Sequence, residues 1–167
     1  MLLRKAVLQD AKGVAHVHVE SWKTTYRGIV SNEYLQSLSK DSKEKKWSDI
    51  LSNTHHTYVC ELEDGEIAGF VSFGKERSGE YEGELYAIYL LEEHQGKGIG
   101  KKLFEIAMKE LKTQGFNSMW IWVLKENPSK QFYYTFQPML IKEAELEIGG
   151  GKYKEEGLLL NLNEKEE

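Results

Sequence analysis

Cysteine is almost absent from this chain. Cys60 is the only one, so no internal disulfide can form, which fits a reducing compartment. It lies in an apolar strand pattern. A nucleophilic thiol would need a nearby base and an electropositive setting, so a packed core residue is the simpler reading. Long apolar runs are missing as well. No stretch approaches the roughly 20 residues of a bilayer span. The start, Met1-Leu2-Leu3-Arg4-Lys5, lacks the pattern of a signal peptide. A soluble cytoplasmic protein with no membrane partner is therefore expected. The histidines fall at His16, His18, His55, His56 and His94, none with zinc-ligand spacing to a partner Cys or His, so no metal site is expected. A basic balance is lacking too. The net charge of −5 argues against general nucleic-acid binding, which relies on neutralising phosphates.

What is present is enough for one domain over residues 1–167, since 40% of the side chains are hydrophobic and can form one core. Leu2–Ala6 reads as a first strand. Asp10, a possible N-cap, opens a helix through Val14, Val17, Trp22 and Tyr26. Ser31–Leu38 and Asp41–Leu51 read as short helices. Thr57–Leu62 and Ile67–Phe73 form a hairpin around Asp64-Gly65. Gly74–Gly83 is polar and reads as loose. Glu84–Leu90 is a buried strand, Ser118–Leu124 a strongly apolar one, and Gly115 a helix stop. Pro128 suits the first turn of a helix running to Phe136. Leu140–Ile148 and Lys152–Leu160 form a terminal hairpin around Gly149-Gly150-Gly151. The charged tail Asn161–Glu167 is expected to fray. Strands mixed with helices in this way predict an α+β fold with a mixed sheet.

The most informative segment is Gln95-Gly96-Lys97-Gly98-Ile99-Gly100-Lys101, which joins the strand Glu84–Leu90 to a helix. That helix carries Ile99, Leu103, Ile106, Ala107 and Leu111 at helical spacing. Glycine lets the backbone approach a ligand, and the first amides of a helix lack internal acceptors. The aligned peptide dipoles add positive character there, so the turn suits a phosphate or diphosphate. Lys97, Lys101 and Lys102 make it locally basic in an acidic chain. A Walker loop is excluded, because Gly96 and Gly100-Lys101 stand one residue too close and Lys102 occupies the hydroxyl position. The spacing Gly-x-Gly-x-Gly also misses the dinucleotide fingerprint.

Gln95-Gly96-Lys97-Gly98-Ile99-Gly100 resembles the Gln/Arg-x-x-Gly-x-Gly/Ala signature of the GNAT superfamily, the acetyl-CoA-dependent N-acetyltransferases. Downstream, Trp122-Val123-Leu124-Lys125-Glu126-Asn127-Pro128-Ser129-Lys130-Gln131-Phe132-Tyr133 is similar to the family's strand, Asn, then helix segment ending in Phe-Tyr. The resemblance spans Leu2 to about Asn161, with its specific part between Glu84 and Phe136. It implies a mixed, mostly antiparallel sheet flanked by helices, whose central strands splay apart to admit the cofactor's pantetheine arm.

By that resemblance the pantetheine amides pair with backbone of Ile88, Tyr89 and Leu90, and backbone amides across Gln95–Lys101 take the diphosphate of acetyl-CoA. Tyr133 is the candidate general acid toward the departing thiolate, with Tyr134 as a competitor. Asn127 either bonds the cofactor or caps the helix after it. Glu84, at the start of the strand leading to the thioester, is the candidate base, directly or through water; a surface carboxylate without a role is the alternative. Trp22, Tyr26 and Arg27 are candidates for the acceptor pocket, Trp22 favouring core packing and Tyr26 a pocket wall. The expected reaction is acetyl transfer by direct attack in a ternary complex on an amine of a small molecule or peptide, which the acidic body favours weakly at long range. A non-catalytic CoA sensor and a generic nucleotide-phosphate binder are the other readings. A homodimer, which the family often forms, is open. One departure is plain. Where the family usually has glycine after Phe-Tyr, this chain has Phe136-Gln137-Pro138-Met139, which predicts a differently shaped turn and bears on the placement of Tyr133.

Overall fold

A computed structural model gives the fold and describes residues 1–163. Its strands are β1 (Leu2–Lys5), β2 (Thr57–Glu61), β3 (Ile67–Lys75), β4 (Gly83–Leu90), β5 (Ser118–Leu124), β6 (Met139–Ile148) and β7 (Gly151–Asn161). They form one sheet in the order β1-β2-β3-β4-β5-β7-β6. Every neighbouring pair is antiparallel except β4 with β5. The helices are α1 (Ala11–Thr25), α2 (Asn32–Ser37), α3 (Lys40–Ser52), α4 (Ile99–Thr113) and α5 (Lys130–Tyr134).

The sheet carries helices on both faces. Residues Ile67 to Gly74 of β3 are buried on both sides, as a central strand covered on two faces requires. On one face, the apolar stripe of α4 (Ile99, Leu103, Phe104, Ala107, Leu111) packs against Leu85, Ile121 and Val123. Truncating a fully buried member such as Leu103 to alanine costs about 2–5 kcal/mol. On the other face, Val14 and Val17 of α1 and Trp47 of α3 pack on Phe70. Further along that face, Tyr26, Leu35, Leu124 and Ile148 form a third cluster.

The feature that positions the site is a parting of two strands. β4 and β5 pair only where Gly83–Leu85 meet Met119–Ile121. Just beyond, Leu85 faces Phe73 and Ala87 faces Ser72, so Tyr86 is an extra residue in β4. Such a bulge bends and twists its strand. β4 therefore leaves with β3, while β5 continues with β7 as far as Leu124 opposite Glu155.

Several sequence expectations change. Asp10 makes no side-chain cap to α1; its carboxylate instead takes two bonds from the Arg4 guanidinium, at 2.7 and 2.9 Å, and one from Val7 N. The start of α2 is fixed by Ser31, whose hydroxyl accepts from Tyr34 N. The segment after Gly74 is ordered around Glu76, a buried carboxylate that accepts from Ser78, Glu80 and Tyr81. α5 is shorter than expected and starts two residues after Pro128. Gln137 bears φ 59°, so the turn after α5 keeps a left-handed residue without glycine. Leu162 is buried and donates its N–H to Asn117 O, so fraying does not begin at Asn161. The rest of the predicted tail lies outside the described residues.

Candidate active site

Where β4 and β5 part, a cleft of about 650 Å³ opens. Its rim on the α4 side is the glycine turn. Gly98 is the N-cap of α4, with φ 81° and ψ 4°, and Gly96 has φ 75°. A side chain is disfavoured at both for backbone reasons alone, since an added Cβ would meet only open space. The first intrahelical bond runs from Lys102 N to Gly98 O, at 3.2 Å. The amides of Ile99, Gly100 and Lys101 are therefore the donors that an α-helix leaves without internal acceptors. Together with the helix dipole they make an anion cradle.

The structure distributes the predicted residues unevenly. The cleft is lined by Trp22, Tyr26, Ile88, Tyr89, Leu90, Gln95, Gly96, Gly98, Gly100, Lys101, Asn127 and Tyr133. The Ile99 side chain is core, 4% exposed, so only its amide serves the turn. Lys97 and Arg27 are exposed and do not line the cleft. Gln95 needs a correction. Its N–H is already spent on Glu92 O, while its side-chain amide donates to Leu90 O at 3.1 Å. It thus ties the turn to the end of β4 rather than offering a free backbone donor.

Glu84 also needs correction as a base. It is 2% exposed, lies outside the cleft lining, and is clamped by Arg77. The Arg77 backbone N–H and Nε–H donate to Oε1 at 3.1 and 3.3 Å, and the guanidinium Nη2 reaches Oε2 at 2.6 Å. A carboxylate held this way by a permanent cation is a structural anion.

Tyr133 reaches the cleft from α5 and packs against Phe104 and Phe132. Among the described residues its hydroxyl has no protein partner. Burial, with smaller help from Tyr89, pushes its pKa above the ordinary tyrosine value, so the phenol keeps its proton. Tyr134 does not line the cleft; its hydroxyl donates to Glu156.

The α1 wall is held by two bonds. Trp22 Nε1–H donates to the Tyr89 hydroxyl at 3.0 Å, and Asn127 Nδ2 donates to the Tyr26 hydroxyl at 3.1 Å. The Trp22 and Tyr26 rings meet at 4.5 Å between centroids. Tyr26 is the more buried of the two, at 5%, the reverse of the sequence reading, although both line the cleft. Asn127 Oδ1 accepts from Ser129 N, so its side chain stabilises the turn into α5 while also facing the cleft.

Sequence reasoning missed Glu155 and Trp122, which also line the cleft. On β7, Tyr153, Glu155 and Gly157 alternate onto one face, and Gly157 is opposite Trp122 in the register. No local signal marks Glu155 or Trp122, because the pairing of β7 with β5 decides which residues face the cleft. An added Cβ at Gly157 would collide with Trp120 at 2.3 Å. Among the described residues no cluster of three or more His, Cys, Asp or Glu could hold a metal ion, and no helix is long and apolar enough to cross a membrane.

Residues 17–136 match the acetyltransferase (GNAT) family. The chain is 44% identical over 158 residues to the uncharacterized N-acetyltransferase YuaI of Bacillus subtilis (strain 168), covering 93% of this chain and 90% of that one. It is 33% identical over 138 residues to a spermidine N(1)-acetyltransferase of Thermoplasma acidophilum, covering 79% and 84%. In structure it is similar to the PaiA N-acetyltransferase of Thermoplasma acidophilum in complex with coenzyme A, with a TM-score of 0.75, 26% identity and coverage of 96% and 98%. From the parted strands, the open-ended α4 and these matches together, the chain belongs to the GNAT family of N-acetyltransferases.

Proposed function

We propose that this protein transfers the acetyl group of acetyl-CoA to an amine nitrogen of a small molecule or peptide by direct attack in a ternary complex. One arrangement carries the reading. A single cleft joins the free amides at the start of α4, a strand edge released by the Tyr86 bulge, and the protonated phenol of Tyr133. The amides of Ile99, Gly100 and Lys101 would hold the diphosphate. The open edge of β4 around Ile88 and Tyr89 would pair with the pantetheine amides.

The acceptor would enter on the α1 side, along Trp22 and Tyr26. Its neutral nitrogen attacks the thioester carbonyl carbon; the C–N bond forms and the C–S bond breaks. Tyr133 gives its proton to the departing thiolate, and water takes the proton released by nitrogen. Holding both substrates in one cleft removes much of the barrier by itself. The spermidine-acetylating relative supports a polyamine among the acceptors.

The test is a thermal-shift series with acetyl-CoA, CoA, ATP and NAD, followed by thiol release from acetyl-CoA across an amine panel. Stabilisation by the CoA compounds alone and amine-dependent thiol release are expected. Binding without release for any amine would turn the reading into a CoA sensor. No selective stabilisation would refute it.

A further inference from the structure

We propose that Glu155 selects the acceptor by pairing with a second, non-reacting ammonium group, so that the cleft favours diamines and polyamines over monoamines of equal length. This rests on the acetyltransferase reading above and adds a residue and a substrate class to it.

Charge placement is the first argument. Among the described residues lining the cleft, Lys101 is the one cation and Glu155 the one carboxylate. They belong to opposite faces of the sheet. Lys101 lies in the first turn of α4. Glu155 shares its face with Tyr153, which packs in the cluster of Trp22, Tyr26 and Leu124 on the α1 side. With the diphosphate end at Lys101, the lone carboxylate stands at the end left for the acceptor.

The second argument is that Glu155 has nothing to bind. Three other carboxylates of the β6–β7 hairpin are paired. Glu143 takes Lys125, Glu145 takes Lys152, and Glu156 takes Lys130 and Tyr134. Glu155 is partly buried, and its carboxylate has no hydrogen bond or ion pair among the described residues. Burial raises its pKa, which is the signature of an anion lacking a countercharge. A bound ammonium supplies that charge.

Distance and surroundings decide which ammonium. Glu155 stands opposite Leu124, three residues past Ile121, where β4 and β5 part. At the rise of a strand that is about 10 Å along β5, past the apex of the cleft. The carboxylate thus meets a group remote from the apex. In the register Trp122, opposite Gly157, stands between the apex and Glu155, while Leu146 and Ile148 line the cleft beyond the carboxylate, so the lining to either side of it is apolar and suited to a methylene chain. Ring faces add attraction for the cation.

The experiment compares initial rates with diaminobutane and with pentylamine, which has similar reach but one amine, at saturating acetyl-CoA. Wild type should favour the diamine in kcat/KM by at least roughly tenfold. Glu155→Gln should lower the diamine kcat/KM by roughly tenfold to a hundredfold, through KM. Its kcat, its rate with pentylamine and its affinity for acetyl-CoA should stay near wild type. Glu155→Asp should keep most of the preference. Should Glu155→Gln fail to fold, the aspartate variant and the wild-type preference decide. Acetylation of both amines without preference, or a preference untouched in Glu155→Gln, overturns the role of Glu155 alone. Acetylation of no amine overturns the function beneath it as well.

Discussion

Tyr133 and Tyr134 are adjacent in the chain yet serve different surroundings: the first faces the cleft, and the hydroxyl of the second donates a hydrogen bond to Glu156 Oε2 at 2.6 Å. That bond pushes the Tyr134 pKa up to about 12, with burial and the Glu156 charge adding to it. The phenylalanine variants should therefore separate. Tyr133→Phe should lower kcat by roughly a hundredfold to ten-thousandfold with acetyl-CoA affinity unchanged. Tyr134→Phe should keep kcat and lose about 1 kcal/mol of stability, read by urea unfolding. Equal kcat losses in both variants would remove Tyr133 as the acid.

Glu84 and Arg77 form an ion pair in which the carboxylate is 2% exposed and the guanidinium side chain 67%. Glu84→Gln should cost about 1–3 kcal/mol of stability, since a charge-assisted network becomes a neutral one. Turnover should stay within about twofold of wild type. A hundredfold fall in kcat without loss of stability would restore Glu84 as the base.

His18 provides a pH prediction. It is stacked on Tyr89 at 5.2 Å, and its Nδ1 accepts the Trp47 Nε1–H at 3.2 Å, which requires an unprotonated nitrogen. Burial first, then Lys43 and Lys46, lower its pKa from 6.5 to about 4. Between those values the unfolded chain binds a proton that the folded chain refuses. Stability therefore falls as pH drops through this window, by about 3 kcal/mol from this group. Urea unfolding at pH 7 and pH 4 should show that loss in wild type and a clearly smaller one in His18→Gln, whose amide oxygen can still accept from Trp47. Equal losses in the two proteins would exclude His18 as the source.

The central strands and the glycine turn were legible in the sequence because their signals are local. Ile67–Phe73 and Ser118–Leu124 are apolar runs bounded by turn residues, and the stripe Ile99, Leu103, Ala107, Leu111 has helical spacing. The errors lie where partners brought together by the fold decide. Nothing near Asp10 or Glu84 announces that Arg4 and Arg77 will take them. Glu155 and Glu156 are identical neighbours, and only pairing with β5 determines which of them faces the cleft. The Tyr86 bulge, which parts the strands, is visible only in the register with β3.

The claim on which the rest depends is that amides at the start of α4 hold a diphosphate. Calorimetry with acetyl-CoA and with acetyl-pantetheine, which lacks the diphosphate and nucleotide, tests it on wild type and on Gly98→Ala. That substitution forces a side chain onto a residue at φ 81° with no atom within 4 Å to clash, so its effect is confined to the backbone of the turn, about 1–2 kcal/mol. The account predicts at least roughly a hundredfold weaker binding of acetyl-pantetheine to wild type, and a gap between the two ligands that narrows in Gly98→Ala. Equal affinity of wild type for the two ligands would contradict it.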